Sequence, residues 1–308
     1  MRDEAPARSA PAAPAGGNLG IAVLWMVGAL ASFSLSAVSI RELAQALTIF
    51  ELLSLRSLFG VAVIVAAACF TRGGVRQLAL HRAGLQGLRH GVHWIGQAGW
   101  AYGVTVLPLA TVFAVEFTSP IWVTLLALVF LGERITAPKI GAVGLGILGV
   151  LIILRPGYLP VGLPSLVVLL AALSFAVTAV ATKTLTRTET TLAILFWMNL
   201  VQLPLNLVWC DPTFPLRIEV AQLPWLTGIC VTGVSSHYCL TQAFRHGDAT
   251  LVVPMDFLRV PLIALVGWWL YGERLDPIVF LGAASVVAGI TWNLVAASRN
   301  RAALPGPT

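Results

Sequence analysis

The sequence predicts an all-α integral membrane protein with ten transmembrane helices, arranged as two inverted five-helix repeats. Three observations lead to this fold class: the composition is strongly apolar, apolar stretches fill nearly the whole chain, and the second half repeats motifs of the first. Apolar residues make up 58% of the 308 positions, the mean hydropathy is +0.88, and charged residues are only 10%. Because soluble domains carry roughly a quarter of charged residues, lipid is the expected solvent for most of this chain.

Each predicted helix is an apolar stretch of about the 20 residues that a membrane-spanning helix needs. Stretches such as 61–70 and 121–130 are almost continuously apolar, whereas transmembrane strands alternate apolar and polar residues over segments of about ten. Helices are therefore favoured. The predicted spans are 19–39, 48–70, 87–106, 109–131, 139–155, 162–182, 190–209, 221–243, 249–271 and 277–297.

The repeat is visible at a separation of 140 positions. The sequence LGERI at Leu131–Ile135 closes one apolar stretch, and YGERL at Tyr271–Leu275 closes another. In the same register, Glu116 corresponds to Asp256. Since each half contains an odd number of predicted crossings, the second half enters the membrane from the opposite side, and the repeat is inverted.

The domain boundaries follow from this duplication. The first repeat is predicted at 18–157 and the second at 158–298. The segment 1–17 is rich in Ala and Pro and has no apolar core, so it is expected to be a disordered tail. A second tail is expected at 299–308.

The basic residues predict the orientation. With the N-terminus in the cytoplasm, thirteen of the 19 Lys and Arg residues, among them Arg89, lie on the cytoplasmic side, four lie outside and two lie within spans. The positive-inside rule favours this arrangement, with both termini in the cytoplasm and the protein in the inner or plasma membrane. It also accounts for the net charge of +6 without a nucleic-acid surface.

Charged residues within predicted spans are candidates for function, because an isolated charge costs about 2.5–3.5 kcal/mol at the bilayer centre. Glu116, Asp256 and Arg259 lie well inside spans, and Arg56 lies about two turns from the outer surface. One interpretation is that Glu116 and Asp256 flank a central cavity, with the arginines as counter-charges or anion contacts. The alternatives are a buried ion pair that only fixes helix register and, for Arg56, a side chain that reaches water near a helix end.

The third predicted span carries a polar face that includes His93, Trp94 and Gln97. In the second half, His237 corresponds to Gln97 and is followed by Tyr238. Trp94, Gln97, His237 and Tyr238 are predicted to line the pathway, where aromatic rings supply stacking or cation–π surface. Hydrogen-bonded packing between helices is the alternative for each of them.

Three prolines lie beside the intramembrane charges. Pro254 and Pro261 bracket Asp256 and Arg259, and Pro120 follows Glu116 by four positions. Because proline removes a backbone donor, both charged helices are expected to bend there. The Glu-Arg pairs at 133–134 and 273–274 are instead expected to be structural, ending spans and anchoring loops.

These motifs resemble the EamA family of the drug/metabolite transporter superfamily. The resemblance covers 19–298 and rests on 102–103, 107–110, Pro120, 131–134, 243–244, 248–250, 254–261, 272–274 and Gly282. It implies a secondary carrier with spans one to four and six to nine around a central cavity and spans five and ten at the periphery. The segment 248–256 is similar to a branch that includes S-adenosylmethionine uptake carriers, although related branches share that pattern.

The function predicted from these observations is secondary transport of a small polar or amphiphilic metabolite by alternating access, as an exchanger or coupled to protons. The rival from another class is an intramembrane enzyme that uses carboxylate and histidine chemistry, but the chain lacks HExxH, GxSxG and Walker A motifs. No cofactor, metal or nucleic acid is expected. Small residues in the fifth and tenth spans suit either a homodimer interface or close packing within one bundle.

Overall fold

The computed structural model describes residues 18–302 except 45, 108–111, 113–114, 155–161 and 272–276. These residues form α-helices and short 3-10 or π turns and include no strand. The helices are α1 (Leu19–Leu43), α2 (Ile49–Phe70), α3 (Ala83–Val106), α4 (Ser119–Leu126), α5 (Ala137–Leu154), α6 (Leu163–Leu185), α7 (Thr191–Leu207), α8 (Leu223–His246), α9 (Ala249–Val252), α10 (Arg259–Tyr271) and α11 (Pro277–Ala302).

Local sequence signals fix several helix starts. The Asn18 side chain accepts hydrogen bonds from the first backbone N–H groups of α1. Thr48 and Glu51 form a reciprocal capping box at α2, and the Thr190 hydroxyl accepts from the N–H of Ala193 in α7. Each cap satisfies backbone donors that a helix start leaves without a partner.

Two predicted spans are interrupted at their prolines. The predicted span 249–271 consists of α9, a 3-10 turn at Val253–Leu258 that contains Pro254, and α10. The predicted span 109–131 contains a turn at 117–118, then α4 with Pro120 in its first turn, then a π turn at Ala127–Leu131. Both charged spans therefore depart from a regular α-helix beside these prolines, while a bend stays a prediction; 108–111 and 113–114 lie outside the described residues.

The all-helical membrane class is confirmed. Four helical stretches are long and apolar enough to cross a membrane, namely Leu19–Ile40, Ile49–Phe70, Leu163–Leu185 and Phe280–Arg299, and further apolar helices are shorter. Large apolar side chains such as Leu24, Phe130 and Trp269 are mostly exposed, as expected for side chains that face lipid. The chain is thus a multi-pass membrane protein, while the number of ten crossings stays a prediction.

Helices from the two halves of the chain pack against each other. The most extensive pairs are α1 with α8, α2 with α7, α3 with α6, and α5 with α11. At the centre, the rings of Phe117 and Phe257, which correspond in the repeat, lie 5.4 Å apart. Around them is the main apolar cluster, which also contains Met26 and Phe244.

The small residues of α5 and α11 bring these two helices into close contact. A Cβ atom on Gly289 would lie 3.2 Å from the backbone of Ala142, and the Ser285 hydroxyl donates to the Leu145 carbonyl at 2.9 Å. Packing within one chain, one of the two alternatives for these residues, therefore accounts for their size.

Candidate functional site

A cavity of about 260 Å³ lies among α1, α2, α3, α4, α6, α8 and the segment 253–259. Its wall is mostly apolar and aromatic, with Phe33, Phe117 and Phe175 among the lining side chains. Charged and polar side chains interrupt this wall at a few points. Such a combination, an apolar pocket with few polar groups, is typical of small-molecule sites.

One group of charges in the cavity is centred on Arg259. Its Nη2 donates to Glu116 Oε1 at 2.8 Å and to Asp256 Oδ2 at 3.0 Å. The indole Nε1 of Trp100 donates to the other oxygen of Glu116 at 2.6 Å. The guanidinium also lies 5.6 Å from the ring centroid of Phe33 and 5.4 Å from that of Phe117, within cation–π range.

The broken helix accounts for this geometry. Asp256 belongs to the 3-10 turn and Arg259 follows it directly. In a 3-10 helix side chains three positions apart eclipse each other, so both side chains project in the same direction. Glu116 reaches them from the opposite half, immediately before the turn at 117–118.

The Arg259 group contains two carboxylates and one guanidinium, and not all of its buried polar atoms are hydrogen-bonded. Asp256 Oδ1 and Arg259 Nε are buried and have no hydrogen-bond partner among the described residues. Buried polar atoms nearly always have a partner in native proteins. These atoms are therefore available to water or to a ligand.

A second set of polar side chains lines the cavity, on α2, α3 and α8. Arg56 and Arg89 are buried, as are His93 and His237. The rings of His93 and His237 meet edge to face with centroids 5.3 Å apart. The Arg56 stem lies so close to Gly233 that a Cβ atom on this glycine would collide with it.

Six of the eight residues predicted to form the site line this cavity, namely Glu116, Asp256, Arg259, Arg56, Gln97 and His237. Trp94 and Tyr238 are not among the lining residues. The indole Nε1 of Trp94 donates to Asn206 Oδ1 at 3.1 Å, and the Tyr238 ring packs edge to face on Trp25. Both side chains therefore pack between helices, as the alternative interpretation had it.

Trp100 and Arg89 are among the lining residues on α3 that sequence reasoning missed. Trp100 continues the stripe of His93 and Gln97 by one further turn, so the same spacing extended by three positions would have found it. Arg89 was assigned to the cytoplasmic side, but it is 2% exposed and lines the cavity. α3 begins at Ala83 and carries Arg89 into the bundle, so this side chain does not lie in a solvated loop, and its place on the cytoplasmic side stays a prediction.

The end of the bundle at which α8 finishes is tied together by two long side chains. The Glu133 carboxylate accepts from the N–H of Ala249 at 2.9 Å, from the N–H of Thr250 at 3.2 Å and from the Thr250 hydroxyl. Lys183 Nζ donates to the carbonyls of Phe244 and Gly247, each at 2.6 Å. Glu133 thus anchors the start of α9, in line with its predicted structural role.

The cavity lining extends toward both ends of the bundle. It includes Ile40 near the end of α1 and Ile49 at the start of α2. Glu273 and Arg274, the repeat counterparts of the Glu133 pair, lie outside the described residues. In the described part of the chain, no group of three or more His, Cys, Asp or Glu side chains is placed to hold a metal ion.

Comparison with known proteins gives a family match over both halves. The sequence profile of the EamA-like transporter family matches residues 20–155 and 163–295. The chain is similar to a riboflavin transporter of Rhizobium johnstonii, with 29% identity over 271 residues that cover 87% of this chain and 89% of the relative.

Two further groups of relatives carry other substrate names. An S-adenosylmethionine uptake transporter of Rickettsia conorii is 26% identical over 85% of this chain and 88% of its own length. A pseudopaline exporter of Pseudomonas aeruginosa is 28% identical over 85% and 92%. A solved crystal structure matches with a TM-score of 0.79 at 17% identity, over 92% of this chain and 100% of that chain, which shows a shared fold.

Proposed function

Since the chain belongs to the EamA-like transporter family, we propose that it is a secondary transporter that moves a small polar or amphiphilic metabolite across the bilayer by alternating access. The observation that carries this proposal is the Glu116–Arg259–Asp256 group. Three ionisable side chains lie in one cavity of a largely apolar bundle, and two of their atoms have no partner among the described residues. Intramembrane charges of this kind mark substrate or ion pathways by default.

The architecture proposed for this function is the pair of inverted five-helix units at 18–157 and 158–298, with both termini in the cytoplasm. The family profile matches the chain twice, within these two units. The helix pairing also supports a two-fold relation. If α1, α2 and α3 correspond to α6, α7 and α8, exchanging the halves turns the pair α1–α8 into α6–α3 and leaves α2–α7 unchanged.

Alternating access requires a cavity that is closed at one end at a time. The contacts of Glu133 and Lys183 lie at the end that the positive-inside rule assigns to the cytoplasm. The cavity lining reaches Ile40 and Ile49 at the other end. We therefore interpret these contacts as holding the cytoplasmic end of the cavity closed in this conformation.

Asp256 is the better candidate for a carboxylate that exchanges a proton. Both oxygens of Glu116 accept a hydrogen bond, from Trp100 and from Arg259. Asp256 shares Arg259 with Glu116 and keeps one buried oxygen free of any described partner. A proton or a cationic group of the substrate would satisfy that oxygen.

The proposed substrate is a small metabolite, the class that the names of the relatives suggest. They are named for riboflavin, S-adenosylmethionine and pseudopaline, which are small metabolites, and none is named as an enzyme. We propose transport rather than covalent chemistry for the same cavity.

The test uses the purified chain in proteoliposomes. Compounds that raise its melting temperature, beginning with riboflavin and S-adenosylmethionine, are measured for saturable counterflow. Glu116→Gln and Asp256→Asn are expected to abolish counterflow or to uncouple it from a proton gradient while inserting normally. Glu219→Gln, the same change on an exposed side chain, is the control. Wild-type uptake by both cavity variants, or covalent change of the compound, would overturn the proposal.

A further inference from the structure

Arg56 is a buried cation without a counter-charge in the described structure. It is 6% exposed and lines the cavity. Its Nε and Nη2 atoms are buried and have no hydrogen-bond partner among the residues that the structure describes. A buried charge without a partner is costly, so this guanidinium is positioned at the expense of stability.

Arg89 adds a second positive charge, and its hydrogen-bond partners among the described residues are neutral. Its Nε donates to Thr182 Oγ1 at 2.6 Å, and its Nη1 donates to His90 Nδ1 at 3.0 Å. Because Nδ1 accepts this bond, Nε2 of His90 carries the proton, and it donates to Gln86 Oε1 at 2.9 Å. The imidazole is therefore neutral, and the charge of Arg89 is not compensated.

The surroundings of the two arginines supply further donors. His93 and His237 line the same cavity as Arg56 and Arg89. Neither ring nitrogen of His93 has a partner in the described part of the bundle. Cys230, a thiol on α8, also lies near Arg56. No carboxylate pairs with either guanidinium among the ion pairs of the described residues.

The charge of the cavity as a whole is positive. Its described lining contains three guanidiniums and two carboxylates, and both carboxylates are bound to Arg259. One anionic group bound in the cavity would bring this lining to neutrality. Arginine forks match the oxygen geometry of carboxylates and phosphates.

We propose that the transported substrate bears an anionic group, a carboxylate or a phosphate, that the unpartnered Arg56 guanidinium binds, and that the positive charge of Arg89 in the same cavity also attracts it. This inference rests on the proposed transport function and names its substrate class. The rings beside the arginines indicate the rest of the molecule. Phe33 lies 5.7 Å from His237 and Phe175 lies 5.9 Å from His93, between ring centroids, so a planar apolar portion fits next to the charged end.

The test compares pairs of aromatic probes with and without an anionic group. Indole-3-acetate is paired with indole-3-acetamide and phenyl phosphate with phenol, at equal ionic strength, and the melting temperature of the full-length protein in detergent is followed against probe concentration. We expect at least one anionic probe to bind roughly tenfold or more tightly than its neutral partner. The pair that shows the larger ratio distinguishes carboxylate from phosphate.

Variants assign the effect to the guanidiniums. Arg56→Gln and Arg89→Gln should remove most of the preference for the anion, and Arg56→Lys should retain part of it. Arg72→Gln, an exposed arginine just beyond α2, should leave the preference unchanged. If Arg56→Gln does not fold, Arg56→Lys and Arg89→Gln are compared with the wild type instead.

The anion inference would be overturned if the charged and neutral probes of each pair bound equally well. It would also be overturned if Arg89→Gln and the folded Arg56 variants kept the wild-type preference for the anionic probe. Saturable counterflow of a neutral compound that no anionic probe inhibits would also overturn it while leaving the transport proposal intact. Absence of counterflow for every compound that stabilises the protein would count against the transport proposal instead.

Discussion

The contact of Glu133 with the start of α9 predicts a measurable conformational bias. The side chain is 9% exposed and accepts three hydrogen bonds from Ala249 and Thr250. Lys139 Nζ lies 3.7 Å from the same carboxylate. Because this contact joins the end of the first-half π turn to the second half, it stabilises only conformations in which the two segments meet.

The size of the effect follows from the hydrogen bonds that are lost. Removing a capping side chain costs about 0.5–2 kcal/mol, and hydrogen bonds to a charged group contribute about 1.5–3 kcal/mol each. We take about 1–3 kcal/mol for Glu133→Ala, because water replaces part of the loss. A free energy of that size shifts a two-state ratio by about 5- to 150-fold, here away from the conformation closed at this end.

The assay measures access to the cavity from each side of the membrane. A cysteine replaces Thr178, which lines the cavity on α6, in a background without the four native cysteines. A membrane-impermeant maleimide is added to inside-out and to right-side-out vesicles. Glu133→Ala should raise the labelling rate from the cytoplasmic side by about 5- to 150-fold, whereas Arg134→Ala, the exposed neighbour, should not.

Two results would refute this reasoning. An unchanged cytoplasmic labelling rate would mean that the cap does not bias the conformation. Equal increases from both sides would mean that the substitution loosens the whole bundle rather than one end.

Two further substitutions act on the cavity wall. Gly233→Ala should displace the Arg56 stem, since the added Cβ would collide with it. In the thermal-shift assay, this variant should bind anionic probes roughly tenfold more weakly. Gly144→Ala, with open space around its Cβ, is the matched control, and equal affinities in both variants would contradict the argument. Trp100→Phe removes the indole donor to Glu116. It should lower the free energy of unfolding, measured by denaturant titration, by about 1–3 kcal/mol. A variant as stable as the wild type would show that this hydrogen bond contributes nothing to stability.

The positions of the helices could be predicted from hydropathy because lipid requires continuous apolar stretches. The second span, predicted at 48–70, is observed at Ile49–Phe70. The third was placed too late, at 87 instead of Ala83. Its first turns carry polar residues whose hydrogen bonds lie inside the bundle, such as His90 with Gln86, and hydropathy does not register such internal partners.

The composition of the site could be predicted only in part. Charge inside an apolar stretch identified Glu116, Asp256 and Arg259, which the structure brings within hydrogen-bonding distance; their role in transport stays a prediction. Helical spacing places Trp100 in line with His93 and Gln97, but it does not show that Trp94 packs on Asn206 while Trp100 donates to Glu116. That information comes from tertiary packing alone.

The repeat predicts where the carboxylates lie but not the charge of the cavity, and the reason is that the arginines are not repeated. At the separation of 140 positions, Arg259 corresponds to Ser119 and Arg89 corresponds to Ile229. A faithful duplication would give a cavity with equivalent charges from each half. Here one arginine of the second half pairs with both repeated carboxylates, and α3 contributes a guanidinium at a position where its counterpart α8 has an isoleucine. The positive excess therefore arises from divergence between the halves, so substrate charge is a property that the duplication does not constrain.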